Sequence, residues 1–414
     1  MEIKIKSIIG VDVKGKRVLF RPDINSPVDA SGAIVNDNRI VKTLPTLRYL
    51  TENGAKVAII AHQGDTLDYQ NLMPLAPHAE RLSQLMGKPV KYLDDVCGDA
   101  ALQAIEALQE GEIVLLGNLR YLTEEVSTFE KDVKLTPDEM QNTYLVRRLA
   151  PLFDIYVNDA FSAAHRNAPS MVAFQQRMPS YAGPLFFKEY EALYKVMHGA
   201  AKPVVFVLGG AKISDAFGMM DKVLADGAAD KILAGGVTGV VMLLAKGRKV
   251  GKQYEQWLKD KDLWCFVEPA KELLRLYGDR FVLPEDLAYA ADGKRKEISV
   301  CDLPVDDAMF LDIGDQTAIA FRHEIMCAGT VFCNGPVGVY ENPLFADGTR
   351  RVWQAFADTS AYTVIGGGDT VSAAAKLIGL SAIDYVCTAG GAMVRFLSGK
   401  KLPLIEAMLG AAKG

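Results

Sequence analysis

The sequence contains neither a long hydrophobic run nor an excess of basic charge. Apolar stretches such as residues 237–245 are far shorter than the roughly 20 residues that a transmembrane helix needs. Lysine and arginine together number 46 against 51 acidic residues, which gives a formal net charge of −5. Because nucleic-acid-binding and membrane-surface proteins usually carry a basic excess, we expect neither nucleic acid nor a membrane as a partner.

Cysteine is scarce as well, and its spacing is not that of a metal or redox site. The six cysteines include no C-x-x-C pair, and most stand in apolar sequence, as reduced and buried thiols do. The first sixteen residues, MEIKIKSIIGVDVKGK, lack the apolar core and the cleavage site of a signal peptide. We therefore expect a cytoplasmic protein.

Short β-branched segments alternate with longer amphipathic segments along the chain. Each short segment is continuously apolar, as strands buried on both faces of a parallel sheet are. Segments such as residues 75–86 and 215–225 are long enough for crossover helices, so the pattern predicts an α/β fold with two doubly wound parallel sheets. The predicted strands are residues 17–21, 56–61, 112–117 and 154–158, then 203–208, 231–234, 280–283, 308–312, 330–333 and 362–365, with 385–387 as a further candidate.

The length of 414 residues also favours two domains, because one hydrophobic core rarely extends over so long a chain. Prolines near residues 179–184 mark the predicted boundary. We predict a first domain of residues 1–184, a joining helix at 185–199 and a second domain at 200–394.

In the first half, arginine and histidine follow the predicted strands. In open α/β sheets ligands bind beyond the carboxyl ends of the strands, and here those ends lead into PDINSP, HQG, NLR and DAFSAAHR. Four arginines lie at or near these strand ends, namely Arg21, Arg39, Arg120 and Arg166. Any single one could be a surface residue or pair with an acid, but their shared position predicts a pocket for a small polyanion. His62 and His165 are not accompanied by a cluster of Cys, Asp or Glu at ligand spacing, which favours hydrogen bonding to an anion over metal binding.

In the second half, glycine takes the place of arginine at the strand ends. The segment VIGGGDT precedes a predicted helix at residues 371–378, so backbone N–H groups and the positive helix end would form a phosphate cradle. Asp369 in that turn could hold Mg²⁺ together with phosphate oxygens. Lys212 could follow a moving phosphoryl group or be a solvated lysine, and Glu341 could accept a ribose hydroxyl or be a surface carboxylate. Neither a Walker A loop nor a G-x-G-x-x-G fingerprint is present.

Seven segments, in order along essentially the whole chain, are similar to signatures of the phosphoglycerate kinase family. They are KGKRVLFRPDINSPV, AHQG, GNLRY, VNDAFSAAHR, LGGAKISD, CNGPVGVYE and VIGGGDT. The resemblance implies two Rossmann-like domains, hinge bending and a glycolytic reaction. In that reaction a phosphoryl group passes reversibly between 1,3-bisphosphoglycerate and ADP, giving 3-phosphoglycerate and ATP, with Mg²⁺ bound to the nucleotide as MgADP or MgATP. It also implies that the tail, about residues 395–414, folds back onto the first domain, and we expect a monomer.

The resemblance assigns roles to individual positions. Those matching the phosphoglycerate site are Asp23, Asn25, Arg39, His62, Arg120, His165 and Arg166, and the neighbouring Gln63, Gly64 and Asp65 join them in the predicted site. Those matching the nucleotide site are Lys212, Asn334, Pro336, Glu341, Gly366, Gly367, Gly368, Asp369 and Thr370, and the strand-end glycines Gly210, Gly235, Gly236 and Gly314 join them in the predicted site. Among them we predict Arg39, Lys212, Gly367 and Gly368 as catalytic and Asp369 as the metal ligand.

The sequence departs from the family pattern at four places, and the first two departures, Asp65 and Ala216, indicate a divergent, archaeal-type branch. Asp65 stands where the HLGR pattern has arginine, and Ala216 replaces a frequent second lysine, so each removes an expected positive charge. Gly117 takes the place of the glutamate of LLEN, and Pro22 and Ile24 alter the common RVDFN.

Two other functions are alternatives. A non-catalytic nucleotide or metabolite sensor is supported by Asp65 and Ala216 alone, whereas the retained Lys212, Arg39 and Asp369 favour an enzyme. A dehydrogenase on the same type of sheet would need the dinucleotide fingerprint and a hydride-site histidine, and neither is evident. Adenine and guanine remain equally open as the base.

Overall fold

A computed structural model describes residues 3–64 and 72–411. Asp65, one of the predicted site residues, lies outside the described residues. The chain separates into two compact units, which we call the first unit (residues up to Glu191 and from Lys401 onward) and the second unit (Ala192–Lys400). Within the described ranges, none of the helices combines the length and the apolar character needed to cross a bilayer.

The first unit is built on a parallel sheet of six strands in the order β3-β4-β2-β1-β5-β6. Strand β1 pairs in parallel with β2 on one side and with β5 on the other, so that Phe20 is opposite both Ile59 and Val157. The strands are β1 (Arg17–Pro22), β2 (Lys56–Ile59), β3 (Lys91–Tyr92), β4 (Ile113–Leu115), β5 (Ile155–Asp159) and β6 (Ser180–Ala182). Nearly all residues of β1, β4 and β5 are buried, as their unbroken apolar runs predict.

Helices of the first unit connect these strands and cover the sheet. Helix α2 shows both typical end signals, with Pro77 in its first turn and Gly87 at φ +67° as its C-cap. The helices are α1 (Asn38–Glu52), α2 (Ala76–Met86), α3 (Asp99–Glu106), α4 (Ser127–Asp132), α5 (Pro137–Met140), α6 (Tyr144–Leu149), α7 (Pro169–Val172) and α8 (Pro184–His198). The division between the two units falls inside α8.

The second unit contains another six-stranded parallel sheet, in the order β15-β14-β13-β7-β8-β9, and a small antiparallel sheet, in the order β11-β10-β12. The strands are β7 (Val204–Leu208), β8 (Lys231–Ala234), β9 (Phe281–Val282), β10 (Asp286–Ala291), β11 (Lys294–Ser299), β12 (Phe310–Ile313), β13 (Thr330–Asn334), β14 (Tyr362–Gly366) and β15 (Tyr385–Val386). The helices are α9 (Ile213–Ala225), α10 (Gly236–Ala245), α11 (Lys252–Asp260), α12 (Val267–Tyr277), α13 (Asp315–Met326), α14 (Asp347–Asp358), α15 (Gly368–Leu377) and α16 (Gly391–Leu397). Both predicted doubly wound sheets are therefore confirmed.

The antiparallel sheet corrects one strand assignment. The segment predicted at residues 308–312 as part of the parallel sheet forms β12, which pairs antiparallel with β10. Strands β10 and β11 form a hairpin across Asp292 and Gly293, both at positive φ, and an Asp-Gly pair is a strong hairpin signal. Strand β11 (KRKEIS) is mostly exposed and charged, so it lacks the apolar run on which the strand predictions depended.

The cysteines also differ from expectation. All six are free, but Cys265, Cys301 and Cys327 are exposed, so only half of them are buried. Apolar sequence neighbours do not bury a residue on the outer face of a helix or at its end.

The last helix, α17 (Pro403–Ala411), packs onto the first unit. It contacts α7 and β6, and the Leu404 amide donates to the carbonyl of Ala164 at 3.2 Å. Leu404 and Met408 are buried there, so the C-terminal segment completes the core beside the loop that follows β5.

We expect Leu404→Ala to lower the free energy of unfolding of the first unit by about 2–5 kcal/mol, because it leaves a cavity in that core. The matched control is Glu406→Ala, which removes an exposed side chain from the same helix and should change stability by no more than about 0.5 kcal/mol. Urea unfolding of both variants measures the difference. Equal effects would contradict the packing of α17 described above.

Candidate active site

The loop after β1 brings Asp23 to the carboxyl edge of the first sheet. Asp23 is 7% exposed and accepts a hydrogen bond from Arg39 Nη1 at 2.7 Å. The Ser162 hydroxyl, from the loop after β5, donates to the same carboxylate. Arg39 lies in the first turn of α1 and is 48% exposed, so its guanidinium is oriented by Asp23 and remains accessible.

His62 lies at the centre of the arginine cluster predicted from the strand ends. Its Nδ1 is 2.8 Å from Nη2 of Arg21, and because a guanidinium can only donate, Nδ1 accepts and the imidazole proton is on Nε2. Burial, and then the charges of Arg21, Arg120, Arg166 and Arg39, hold the pKa of His62 well below its usual 6.5. The imidazole is therefore neutral at pH 7.

A half-buried acid holds Arg166, and backbone carbonyl groups hold Arg120. Arg166 Nε donates to Glu130 Oε2 at 2.8 Å, while its Nη2 has no hydrogen-bond partner among the described residues. Arg120 donates through Nη1 to the carbonyl of Glu125 and through Nε to that of Gly64 at 3.4 Å. The Arg166 guanidinium thus keeps one donor group available within the cluster.

Glu125 supplies a buried carboxylate beneath this cluster. Burial raises its pKa above the usual 4.5, and two hydrogen bonds from Ser170, followed by the charges of Arg21 and Arg120, oppose that rise. The Ser170 amide and hydroxyl each donate at 2.6 Å. Burial also lowers the pKa of Arg21, although a guanidinium stays protonated at any ordinary pH.

Asp159, the last residue of β5, links the cluster to α8. Its carboxylate accepts from the Phe186 amide at 2.7 Å and from the Thr46 hydroxyl at 2.5 Å. Burial raises its pKa to about 6 despite these bonds. Because Thr46 lies on α1, Asp159 joins the helix that carries Arg39 to the first turn of α8.

The remaining predicted residues of the first site also lie at the carboxyl edge of the first sheet, but they differ in how far they are buried and in what they bond to. Asn25 accepts from the Gly64 amide at 3.3 Å, and His165 is half-buried in the loop after β5. The Gln63 side chain is buried and bonded to Ser26 and His78, so it does not point into solvent.

In the second unit, three glycine-bearing loops are joined by backbone hydrogen bonds at the carboxyl edge of the sheet. The Gly210 amide donates to the carbonyl of Pro336 at 2.7 Å, and the Gly236 amide donates to that of Val337 at 3.1 Å. A Cβ at Gly335, where φ is +93°, would collide with the carbonyl oxygen of Gly209. Glycine is required there by this close approach of two backbones.

The GGGDT turn is fixed to the end of β13. Asn334 Nδ2 donates to the carbonyl of Gly366 at 2.9 Å, and the Gly335 amide donates to the Thr370 hydroxyl at 2.7 Å. Gly367 adopts φ +95°, and a Cβ on it would lie 2.8 Å from Asn334 Nδ2. Helix α15 begins at Gly368, so its free N–H groups lie at this turn, as an anion site requires.

A cavity of about 180 Å³ opens beside the turn. Among the predicted nucleotide residues, those that line it are Gly210, Gly236, Pro336, Glu341 and Asp369. Apolar walls come from Val237, Val240, Leu287, Phe310 and Val339, among others. Sequence reasoning missed these apolar residues, because an apolar side chain in a loop or strand carries no sign of the ligand that it contacts.

Other predicted nucleotide residues lie around this cavity without lining it. Gly314 leaves room for the carboxylate of Asp286, and Gly235 would place a Cβ 2.5 Å from Val337 Cγ1. At both positions close packing against a neighbouring side chain explains why glycine is needed. Lys212 is exposed immediately before α9, whereas Ala216 is only 1% exposed and belongs to the core.

Asp312 stands in the wall of the cavity as a buried carboxylate. Arg295 Nη1 and the Gly348 amide donate to Oδ2 at 2.7 and 2.9 Å, and Oδ1 has no partner within the described part of the chain. Burial raises the pKa of Asp312 to about 6. The adjacent Tyr340 also has a raised pKa, from burial first and then from the charges of Glu341 and Asp369, which places both carboxylates near it.

The arrangement fits a divalent cation only as part of a bound nucleotide. No group of three or more His, Cys, Asp or Glu side chains suited to a metal occurs in residues 3–64 and 72–411. Asp369 is a single exposed carboxylate in the first turn of α15. Mg²⁺ commonly takes one or two carboxylates and completes its shell with phosphate oxygens and water, so Asp369 fits this mode of binding.

Three residues of the first cluster were not among the predicted ligand-binding residues, namely Arg21, Glu125 and Asn118, although Arg21 was counted among the four arginines at the strand ends. Arg21 was detectable, because an arginine inside an apolar strand run needs a partner. Glu125 lies in a segment without such a pattern, whereas Asn118 begins the strand-end segment NLR but was given no role. Gly117, one of the departures, donates its amide to the carbonyl of Asp95, and a Cβ there would lie 3.1 Å from the Asp95 amide nitrogen.

Comparison with known proteins supports one family. The phosphoglycerate kinase family model matches residues 8–400. The phosphoglycerate kinase of Methanothermobacter thermautotrophicus is 38% identical over 409 residues (99% of this chain and 97% of the relative), and that of Methanopyrus kandleri is 40% identical over 405 residues (98% and 97%). The crystal structure of phosphoglycerate kinase from Pyrococcus horikoshii OT3 matches with a TM-score of 0.84 at 36% identity, over 99% of both chains. The enzyme structure from Coxiella burnetii gives the same TM-score at 31% identity.

We expect ¹⁵N NMR of the labelled histidines to show His62 as the neutral Nε2–H tautomer, and to show that it stays neutral as the pH falls below the usual histidine pKa. Replacing Arg21 by Gln removes one cation and keeps a donor, so the pKa of His62 should rise. A His62→Asn variant assigns the resonance. Titration of wild-type His62 near 6.5, or an Nδ1–H tautomer, would refute the proposed hydrogen bond from Arg21.

Proposed function

Since the chain belongs to the phosphoglycerate kinase family, and is therefore a kinase that transfers a phosphoryl group between 1,3-bisphosphoglycerate and ADP, we propose that the first unit binds the phosphoglycerate and the second unit binds the nucleotide. The observation that carries this assignment is the contrast between the two strand edges. One gathers four arginines around a neutral histidine, and the other places a helix N-terminus beside an apolar cavity.

In the first unit, the arginines bind the phosphate and carboxylate oxygens of the phosphoglycerate. Arg39 is oriented by Asp23 and accessible, and Arg166 keeps its Nη2 available. His62 carries its proton on Nε2, so it donates to an anion without adding a charge. Asn25, Gly64, Arg120 and His165 complete the proposed site, which leaves Asp65 as a prediction outside the described residues.

In the second unit, the apolar cavity takes the base, and the first turn of α15 binds the nucleotide phosphates. Glu341 lines the cavity and accepts a ribose hydroxyl. Mg²⁺ enters with the nucleotide, as MgADP or MgATP, and Asp369 supplies its protein ligand. Lys212, exposed before α9, reaches the phosphoryl group in transfer. Because Ala216 is part of the core, the frequent second lysine of the family has no counterpart at this position.

The reaction needs alignment and charge neutralisation more than it needs a base. Both the attacking carboxylate and the attacking phosphate oxygens are nucleophilic at neutral pH, so no general base takes part. Arg39, Lys212 and the N–H groups of Gly367 and Gly368 neutralise the equatorial oxygens during in-line transfer, which is how preorganised donors lower such barriers. A cytoplasmic monomer without a nucleic-acid partner stays a prediction.

We expect Arg39→Ala to lower kcat by about a hundredfold or more in a coupled assay of ATP formation, as loss of a preorganised donor does. The matched control is Arg48→Ala, on the same helix, because the exposed Arg48 donates to the Leu85 carbonyl and to no other group among the described residues. Its kcat should stay within about twofold. A rise in KM for the phosphoglycerate at unchanged kcat would make Arg39 a binding residue only, and absence of turnover in the wild type would refute the function.

Each half of α8 is fixed to its own unit, which supports closure about this helix. Asp159 holds the first turn, and in the second half the Lys195 ammonium lies 3.7 Å from the centre of the Tyr362 ring. We propose that transfer follows closure of the two units, which also excludes water.

Small-angle X-ray scattering should therefore show a smaller radius of gyration with 3-phosphoglycerate and a non-hydrolysable ATP analogue together than with either ligand alone. The apo protein and the two single-ligand samples are the controls. An unchanged radius of gyration at saturating concentrations of both ligands would rule out closure.

A further inference from the structure

The Gln63 side chain is joined to the backbone of Ser26 by two hydrogen bonds. The Ser26 amide donates to Gln63 Oε1 at 2.9 Å, and Gln63 Nε2 donates to the Ser26 carbonyl at 2.8 Å. Both residues are 2% exposed. This two-point pairing repeats the bonding of a strand ladder, so it fixes the segment after β1 against the end of β2.

The Gln63 backbone is itself held by Asn118, which is fully buried after β4. Asn118 Oδ1 accepts from the Gln63 amide at 3.1 Å, and Asn118 Nδ2 donates to the Gln63 carbonyl at 2.9 Å. The same Oδ1 accepts from the Arg120 amide at 3.1 Å. Asn118 therefore fixes the backbone of Gln63, and the Gln63 side chain in turn fixes the backbone of Ser26 relative to it.

His78 on α2 holds the side chain of Gln63 from the other side. Its Nε2 is 3.0 Å from Gln63 Oε1, and because an amide oxygen only accepts, Nε2 carries the proton. His78 is fully buried, and burial lowers its pKa to about 4. Its Nδ1 has no hydrogen-bond partner in residues 3–64 and 72–411, although an unpaired buried acceptor is costly.

The segment that Gln63 holds carries the residues that orient Arg39. Asp23 lies three residues before Ser26 and forms the 2.7 Å bond to Arg39. Asn25, next to Ser26, accepts from the amide of Gly64, next to Gln63. A shift of this segment would move Asp23 and, with it, the guanidinium of Arg39.

We propose that Gln63 and His78 form a positioning pair for the phosphoglycerate site, an inference that rests on the proposed function. They act through the Ser26 backbone on Asp23 and Arg39 and do not touch the ligand. Leucine, the residue of the HLGR pattern at position 63, could form none of these three hydrogen bonds. A purely structural role for the pair predicts lost stability with unchanged affinity for the phosphoglycerate.

The test compares Gln63→Leu, His78→Leu and His78→Gln with Leu82→Ala, a fully buried residue one turn further along the same helix. Gln63→Leu and His78→Leu should raise KM for 3-phosphoglycerate about tenfold, the size expected from one or two lost hydrogen bonds, while KM for ATP changes less than twofold. His78→Gln keeps a donor near the Nε2 position and should recover most of the affinity. Leu82→Ala should lower Tm and leave both KM values within twofold.

Hydrogen exchange of the peptide containing residues 23–27 gives a readout that does not require turnover. Exchange should be faster in Gln63→Leu and His78→Leu and unchanged in Leu82→Ala. An active wild type whose Gln63→Leu variant keeps its KM for 3-phosphoglycerate, or shows no faster exchange, overturns the positioning role alone. A folded wild type without turnover overturns the proposed function and this role together.

Discussion

Each six-stranded sheet runs in a single direction, so the residues that follow its strands are brought to one edge. In the first unit this edge collects guanidinium groups from β1, from the start of α1 and from the loops after β4 and β5. In the second unit it collects backbone N–H groups and the start of α15. Parallel pairing alone is enough to bring the guanidinium groups together at one edge and the N–H groups together at the other. Strand ends are therefore the most informative positions in such a sequence.

Gathering four guanidinium groups creates repulsion that the first unit has to balance. Asp23 and Glu130 each hold one arginine in a direct ion pair, and Glu125 lies buried beneath the cluster. Burial and the positive charges of the four arginines keep His62 neutral, so that it contributes a hydrogen-bond donor without a further charge. The acids leave donor capacity available at Arg39 and Arg166, and an incoming polyanion would complete the charge balance that these acids only begin.

The glycines of the second unit have two different causes, although they look alike in the sequence. Gly367 belongs to the turn that opens α15, where N–H groups become available. Gly314 makes room for a carboxylate, and Gly335 allows two backbones to approach closely. Sequence reasoning grouped Gly314 with the nucleotide residues because both kinds of glycine follow strands. The closeness of Gly314 to Asp286 separates the two kinds, and it depends on the pairing of β12 with β10 in the antiparallel sheet.

Hydrophobic pattern and strand-end chemistry, read from the sequence alone, predicted the two parallel sheets, the joining helix at residues 185–199 (observed as Pro184–His198) and the glycine-rich turn at 366–370, together with an anionic ligand for the first unit. Those features follow from local composition, because unbroken β-branched runs and strand-to-helix glycine turns have few other structural solutions. Only the tertiary structure decided that β12 joins an antiparallel sheet, that Arg21 and Glu125 lie beneath the arginine cluster, that apolar residues from β10 and β12 line the cavity, and that the Gln63 side chain turns inward to Ser26 and His78. Each of these depends on contacts between residues far apart in the chain, and no local pattern encodes which distant partner a buried polar group will meet.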